Sequence, residues 1–293
     1  MASEERRHWA ANSFEAAVER FYEAGIGADE DWHGGYRNFG WWEGDNRDYL
    51  RAADALVGQV NRLLCLSSTS RLLDVACGGA TQDIYLHRLT GAEIDGVDAT
   101  WAQVKEGRKR IAAAGIVDKV RLHHGTATDL SAFAPESFSH VTCIEGGPHF
   151  DTRELFLQQA FSRLRSGGII VLADLLVLSP ARLPWERFAL KRAQRMWNVP
   201  DANVLDRDGF RASLERVGFT QITMEEVGRH IMPGYYRDQC SAETVDAQRR
   251  FKGRMWRLRH AFANFFLFKS WQLGVIEYVL VRAVKPRASA TEP

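Results

Sequence analysis

The chain has 293 residues, of which 45% are hydrophobic and 26% are charged, and its formal net charge is +1. This is the composition of an ordinary globular protein, long enough for one large domain or two small ones. Because positive and negative charges nearly balance and no segment is dominated by basic residues, nucleic acid is not expected as a partner.

The first 66 residues are expected to form a helical cap: a helix, the aromatic and glycine-rich loop "DWHGGYRNFGWWEGD", and a second helix. The first residues lack the apolar core of a signal peptide. Four cysteines lie far apart without a Cys-x-x-Cys pair, so the sequence indicates neither a zinc site nor a disulfide framework. We therefore expect a cytoplasmic protein without a bound metal.

Residues 67–178 alternate between strand-like and helical patterns. Continuous apolar strands separated by amphipathic helices indicate a parallel sheet that is covered on both faces. The helix over 152–168 is expected to stop at its final Gly-Gly pair. The strands are predicted over 71–76, 92–98, 119–124, 140–145 and 168–177, and a further helix over 100–115.

Residues 179–272 are predicted to form a lid and the last helices, with one strand at "TQITMEEV", and 273–285 contain a closing strand. The apolar stretch "AFANFFLFKSWQLGVIEYVLV" is interrupted by Lys269, Gln272 and Glu277. A buried helix followed by a buried strand explains it better than a membrane span. Without a long linker, residues 1–293 are expected to form a single domain.

The turn after the first strand indicates a ligand. Asp74 is followed by the small residues 76–80, which let the backbone approach a bound molecule, and Asp98 ends the next strand. In dinucleotide folds an acid about twenty residues after such a turn binds ribose hydroxyls. The phosphate-binding patterns G-x-x-x-x-G-K-[ST] and G-x-G-x-x-G are absent, and Asp74 would repel a pyrophosphate but attract an ammonium. This chemistry favours S-adenosylmethionine.

These features resemble the class I S-adenosylmethionine-dependent methyltransferases, particularly their small-molecule and natural-product branch. The family pattern D-x-G-x-G-x-G is present as residues 74–80 with alanine at positions 76 and 80, and "GVIEYVLVRAVKP" looks like the family's antiparallel last strand. The resemblance implies an α/β, Rossmann-like, doubly wound sheet of seven strands with the last antiparallel, a helical N-terminal cap and lid insertions. It also implies S-adenosyl-L-methionine as the cofactor.

The resemblance further implies a set of cofactor-binding residues. Asp98 matches the ribose acid, and Gln103 matches a polar residue that often joins it. Thr126 stands where the family places an acid against the adenine amine, so Asp129 or the Ala127 amide is left to take that role. The expected cofactor-binding residues are Tyr22, Asp74, Ala76, Gly78, Asp98, Ala99, Gln103, Thr126, Ala127 and Glu145.

His149, Asp174 and Glu145 are the candidate catalytic residues. His149 follows the fourth strand, and Asp174 lies on the neighbouring fifth strand. An aspartate oriented against a histidine makes a competent general base, although a histidine satisfied by hydrogen bonds beneath the lid is the alternative. Relatives with E-x-x-x-H at this position often use the histidine in catalysis, and their glutamate contacts the cofactor or the active site.

The acceptor is predicted to contact the aromatic loop and the lid. For the loop, core packing between the N-terminal helices is the alternative to ligand contact. The resemblance implies that the N-terminal segment folds over the cofactor and that acceptors bind in the lid. The expected acceptor residues are Asn38, Trp41, Trp197, Tyr235 and Tyr236.

Three functions remain open from the sequence. The first is a methyltransferase acting at oxygen or nitrogen of a hydrophobic small molecule of specialised metabolism, with His149 as the base. The second methylates carbon in an alkene of a prenyl group or prenyl diphosphate, with Glu145 stabilising the cation. The third is a catalytically silent binding protein with the same fold. The sequence leaves open whether the chain forms a homo-oligomer.

Overall fold

The computed structural model describes residues 33–178, 183–196 and 199–287. Tyr22 and Trp197, which the sequence assigns to the cofactor and the acceptor, lie outside these residues. Within them, seven strands form one sheet in the order β3-β2-β1-β4-β5-β7-β6. The strands are β1 (Arg71–Val75), β2 (Glu93–Asp98), β3 (Val120–His124), β4 (Phe138–Ile144), β5 (Leu164–Val177), β6 (Thr220–Glu226) and β7 (Ile276–Val284).

The sheet is doubly wound, as the sequence predicts. Strand β7 is antiparallel to both of its neighbours, β5 and β6, whereas β1 to β5 pair in parallel. The strand order reverses between β1 and β4, and such a switch point opens a crevice at the carboxyl ends of the strands. The predicted Rossmann-like sheet of seven strands with an antiparallel last strand is confirmed.

Helices cover both faces of the sheet. Successive residues of a strand point to opposite faces, so Leu72 of β1 joins one core while Leu73 and Val75 join the other. The helices are α1 (Tyr49–Leu64), α2 (Thr81–Thr90), α3 (Trp101–Ala113), α4 (Arg153–Arg163), α5 (Pro184–Met196), α6 (Arg207–Val217), α7 (Gly228–Gln239), α8 (Ala242–Lys252) and α9 (Arg254–Gln272).

Helix α4 ends earlier than its sequence predicts. The expected stop was the glycine pair at 167–168, but the helix ends at Arg163 and Leu164 already has extended backbone and pairs with Phe138 of β4. Leu164 is fully buried, so packing in the core favours the extended backbone over another helical turn. Lys285 donates hydrogen bonds to the Phe161 and Leu164 carbonyls, which stabilises the helix end.

The apolar stretch near the end divides into a helix and a strand, but the helix is not buried. In α9 only Ala263 and Asn264 are buried, whereas β7 is almost entirely so. The prediction of a buried helix is therefore wrong, because no layer formed by the described residues covers one face of α9. No helix among the described residues is long and apolar enough to cross a membrane.

The aromatic segment 36–42 is packed into the core between α1 and α7. Phe39, Trp41 and Trp42 are all nearly buried, and the Trp42 indole donates to the Phe39 carbonyl. Trp42 lies directly against Gly234 of α7, where an added Cβ would be 2.0 Å from the indole Cγ. The close approach of this helix to the segment therefore depends on a glycine.

Two helix-interior glycines should respond in opposite directions to alanine. Gly234→Ala forces the Cβ into Trp42 and should lower the free energy of unfolding by about 1–3 kcal/mol. Gly58→Ala, in α1, meets only the Tyr85 hydroxyl at 3.9 Å and should raise it by about 0.5–1 kcal/mol through helix propensity. Urea unfolding of both variants checks this pair, and equal effects would contradict the packing of α7 on Trp42.

Candidate active site

A cavity of about 1030 Å³ lies at the carboxyl ends of the strands. It is lined by the turns after β1, β2, β4 and β5, by residues 35–39, and by parts of α5 and α7 to α9. Its volume is at the upper end of the range for ligand pockets, about 300–1,000 Å³. The cavity therefore has room for two small molecules that meet above the sheet.

The turn after β1 presents bare backbone to this cavity. Ala76, Gly78 and Ala80 all have positive φ, which for alanine costs about 1–2 kcal/mol. The Gly78 amide donates to a carboxylate oxygen of Asp98, and a Cβ on Gly78 would meet no atom within 4 Å. The backbone of this turn is therefore open to the cavity, and the hydrogen bond to Asp98 holds it in place.

Asp98 and Gln103 lie together on the cavity wall, as predicted. The second oxygen of Asp98 accepts from the Thr100 amide at 2.8 Å, and burial raises the pKa of this carboxyl. The Gln103 side chain is 4% exposed, and its amide nitrogen has no hydrogen-bond partner among the described residues. A buried donor of this kind is rare in folded proteins and indicates a missing acceptor.

Asp74 does not line the cavity, contrary to the predicted direct contact with a ligand ammonium. It is fully buried inside β1, and the Gln82 amide donates to one of its oxygens at 2.6 Å. Gln82 itself lines the cavity. Asp74 therefore acts on the cavity through Gln82, which the sequence analysis did not single out.

Asp74 also lies against a second buried carboxyl, Asp83 of α2. Both side chains are fully buried, and three of their four oxygens have no donor among the described residues. Burial is the main cause that raises the pKa of Asp74 to about 6 and that of Asp83 well above its usual range. The pair is therefore expected to share a proton at neutral pH.

Glu145 connects the cavity with three parts of the fold. It follows β4 with φ of 60°, and one of its oxygens accepts from the Phe39 amide at 2.9 Å and the Tyr278 hydroxyl at 2.7 Å. Burial raises the pKa of this carboxyl to about 8, so it is mainly protonated at pH 7. No local pattern in the sequence indicates Tyr278, which lies on β7 and contacts Glu145 only in the folded chain.

His149 and Asp174 both line the cavity, but Asp174 has a different partner from the one predicted. His149 ends a short 3-10 turn, Gly147–His149, directly after β4. Asp174 accepts from Arg153 at 3.0 Å and from the Leu175 amide at 2.7 Å. A buried guanidinium requires a carboxylate to offset its charge. Asp174 therefore pairs with Arg153 and does not hold the tautomer of His149 as predicted.

The turn that carries His149 is held by Asn203, a residue that the sequence analysis missed. The Asn203 amide donates to the carbonyls of Pro148 and Phe150 on either side of His149, and its oxygen accepts from the Arg153 amide. Asn203 is 2% exposed. Its three hydrogen bonds fix the position of His149 relative to the start of α4.

Two of the predicted acceptor residues line the cavity and two do not. Asn38 and Tyr235 do, and Tyr235 stacks on Phe39 at 4.2 Å. Trp41 instead stacks on His230, and Tyr236 stacks on Phe268. The rings of Trp41 and Tyr236 therefore pack against other elements of the fold and not at the cavity. The other predicted cofactor residues that line the cavity are Ala76, Ala99, Thr126 and Ala127.

Of the two groups that the sequence leaves for the adenine amine, Asp129 does not line the cavity, whereas Ala127 does. His123 binds Asp95 and His124 binds the Ala99 carbonyl. Among the described residues, no group of His, Cys, Asp and Glu is arranged to hold a metal ion.

Comparison with known proteins identifies relatives over most of the chain. Residues 72–168 match the sequence profile of a methyltransferase domain. The erythromycin 3''-O-methyltransferase of Saccharopolyspora erythraea is 28% identical over 87% of this chain and 85% of its own. The 27-O-demethylrifamycin SV methyltransferase of Amycolatopsis mediterranei is 27% identical over 84% of this chain and 89% of its own.

Solved structures share the fold at lower identity. The geranyl diphosphate C-methyltransferase of Streptomyces coelicolor, in complex with Mg²⁺, geranyl diphosphate and S-adenosyl-L-homocysteine, superposes with a TM-score of 0.75. It is 17% identical, and the superposition covers 94% of this chain and 98% of that one. The methyltransferase domain and the named relatives favour an enzyme over a silent binding protein. Residues 72–168 carry a methyltransferase domain, and the chain is similar over most of its length to methyltransferases of natural-product pathways.

Proposed function

We propose that the enzyme transfers a methyl group to oxygen or nitrogen of a hydrophobic small molecule, with His149 as the general base. The observation that carries this proposal is the position of His149 in the turn after β4, on the wall of a largely apolar cavity that the glycine turn also lines. The two relatives named above support it, because their names describe O-methylation or an O-demethylated substrate.

The residues on the cavity wall fit S-adenosylmethionine. Gly78 provides an open backbone cradle, while the Asp98 carboxylate and the unpartnered Gln103 amide suit the two ribose hydroxyls. Gln82, backed by Asp74, suits the ammonium end. The bound cofactor supplies an electrophilic methyl on a sulfonium.

The other half of the cavity fits an apolar acceptor. Leu175, Leu176, Leu190, Leu267 and Ile276 line it and exclude water around the acceptor. Catalysis would then consist mainly of positioning the nucleophile in line with the methyl group. The imidazole of His149 would accept the proton that a hydroxyl or amine loses. Asn203 would hold the backbone of the turn that carries His149.

Methylation of carbon is the second candidate, and Glu145 is the residue that favours it. Its carboxyl lies next to the stacked rings of Phe39 and Tyr235, and aromatic faces stabilise a nearby cation. The fraction of Glu145 that is ionised before the acceptor binds would stabilise the carbocation and then take the proton that the carbocation loses. The C-methyltransferase of the same fold makes this chemistry a reasonable competitor.

Asp98→Ala should weaken binding of S-adenosylhomocysteine by roughly 1–3 kcal/mol, because the ribose hydroxyls lose a charged acceptor. Isothermal titration calorimetry measures this directly. Asp129→Ala is the matched control: its carboxylate is near the sheet edge but does not line the cavity, so affinity should not change. Equal affinities for the Asp98 variant and the parent would refute the ribose assignment.

His149→Ala should reduce the single-turnover rate at saturating donor by roughly 10²–10⁴-fold, because the acceptor keeps its proton. Donor affinity should be nearly unchanged, and Glu145→Gln should be milder. On the carbon-methylation account the order of the two variants reverses. His123→Ala, outside the cavity, is the control. A His149 variant within about threefold of the parent would exclude the histidine base.

Glu145 should also make stability depend on pH. Its pKa rises from 4.5 in the unfolded chain to about 8 in the folded one, so the folded state holds a proton and loses stability as pH rises between these values. Glu145→Gln retains the oxygen that accepts from Phe39 and Tyr278 but cannot titrate. Compared with the parent, it should therefore gain more than about 1 kcal/mol between pH 5 and pH 9.

Urea unfolding of the parent and of Glu145→Gln without donor, at both pH values, checks this expectation. The other buried carboxyls titrate in both proteins and cancel in the difference. A difference in unfolding free energy that stays constant from pH 5 to pH 9 would show that Glu145 is ionised throughout.

A further inference from the structure

An apolar stripe runs along the outer face of α9. Met255, Leu258, Phe262 and Phe265 are 70%, 56%, 53% and 41% exposed. Their spacing of three, four and three residues places them on one side of the helix. Exposed apolar side chains are normal when scattered, but a continuous row of four marks a surface that contacts something else.

Helix α5 packs against α9 and extends this apolar surface. Its Trp185 and Phe188 are 49% and 64% exposed. Arg192 lies over the Phe188 ring at 6.0 Å, so cations and aromatic rings are interleaved on this helix. We call the exposed side chains of these two helices the α5–α9 face.

The α5–α9 face is basic as well as apolar, so the expectation that no segment is dominated by basic residues is wrong for this part of the chain. Arg254, Arg259 and Lys269 are exposed on α9, and the sequence contains no Asp or Glu between Asp246 and Glu277. Helix α5 contributes a further group of cations, and its only acidic residue is Glu186. These cations are Arg187, Lys191, Arg192 and Arg195.

The cavity wall includes residues of the two helices that form this face. Trp256 and Arg259 of α9 line the cavity, although both remain at least partly exposed, and Arg195 of α5 lines it from the other helix. A molecule that enters between α5 and α9 therefore passes from the apolar, basic surface directly into the site.

We propose that the α5–α9 face docks on the surface of an anionic lipid bilayer and that the acceptor enters the cavity from the lipid. Helices with exposed aromatic and aliphatic side chains flanked by Lys and Arg bind in this way: the apolar row enters the headgroup boundary, and the cations attract anionic lipids. Docking rests on the surface alone. Entry of the acceptor from the lipid also rests on the proposed function, which requires a hydrophobic acceptor.

Charge argues against a second copy of the chain as the occupant. A two-fold interface places the same patch on both subunits, so the cations of α9 would face the cations of its partner without a carboxylate between them. An acidic protein would satisfy the charges but would leave the row from Met255 to Phe265 to be covered by apolar groups of its own. A bilayer supplies both the negative charge and the apolar layer.

Co-sedimentation of the full chain with vesicles tests the proposal, using phosphatidylcholine vesicles with and without phosphatidylglycerol. We expect binding to the anionic vesicles, and weakening of that binding by salt. The Leu258→Ser/Phe262→Ser variant should lower the partition coefficient about tenfold or more. Leu89→Ser/Val117→Ser is the control, because those side chains are 54% and 56% exposed on other elements and should not affect binding. Arg254→Glu/Lys269→Glu should remove the preference for anionic vesicles.

Three results would overturn the proposal. The first is no binding to anionic vesicles at low salt. The second is an equal loss of binding in the control variant. The third is a dimer in analytical ultracentrifugation that Leu258→Ser/Phe262→Ser dissociates, which would assign the face to a second copy. Because vesicle binding is measured without donor or acceptor, its failure would leave the proposed methyl transfer untouched, and failed turnover would leave vesicle binding untouched.

Discussion

The hydrogen bonds to the Glu145 carboxyl are the constraint on which the cavity depends. One oxygen accepts from the Phe39 amide, in the segment before α1, and from the Tyr278 hydroxyl, on β7. These contacts join the aromatic segment, the end of β4 and the antiparallel last strand at one atom. Phe39 in turn stacks on Tyr235 of α7, so a helix over the sheet is fixed by the same point. The wall of the acceptor half therefore moves only if Glu145 moves.

The sequence predicts the parts of the site that lie within one strand–turn–helix unit. Gly78 and Asp98 were found because the chemistry of a bare turn and a strand-end acid is set by local spacing, and they meet as expected. Tyr278, Gln82 and Asn203 were missed for the opposite reason. Tyr278 and Asn203 contact residues that are far away in the sequence. Gln82 is important only because it lies between the cavity and the buried Asp74 carboxyl, to which its amide donates.

The mistaken expectations share a cause, which is competition between local preference and tertiary packing. Gly-Gly is a good helix stop, but α4 ends earlier because Leu164 is fully buried in the sheet. Asp174 was expected to orient His149, but it forms a buried ion pair with Arg153 instead. The Trp41 side chain was expected to contact the ligand, but it stacks on His230. In each case the deciding partner comes from another element.

The paired carboxyls of Asp74 and Asp83 limit the charge that the fold must bury beside the turn after β1. Two desolvated carboxylates in contact repel each other, so the pair keeps one proton at neutral pH. The pKa of Asp74 rises only to about 6, so this proton lies mainly on Asp83. The remaining negative charge is then on the carboxyl that accepts from Gln82, a residue of the cavity wall. A cation at Gln82 would favour this ionised form of Asp74, so the fold buries one negative charge next to the cavity and neutralises the other.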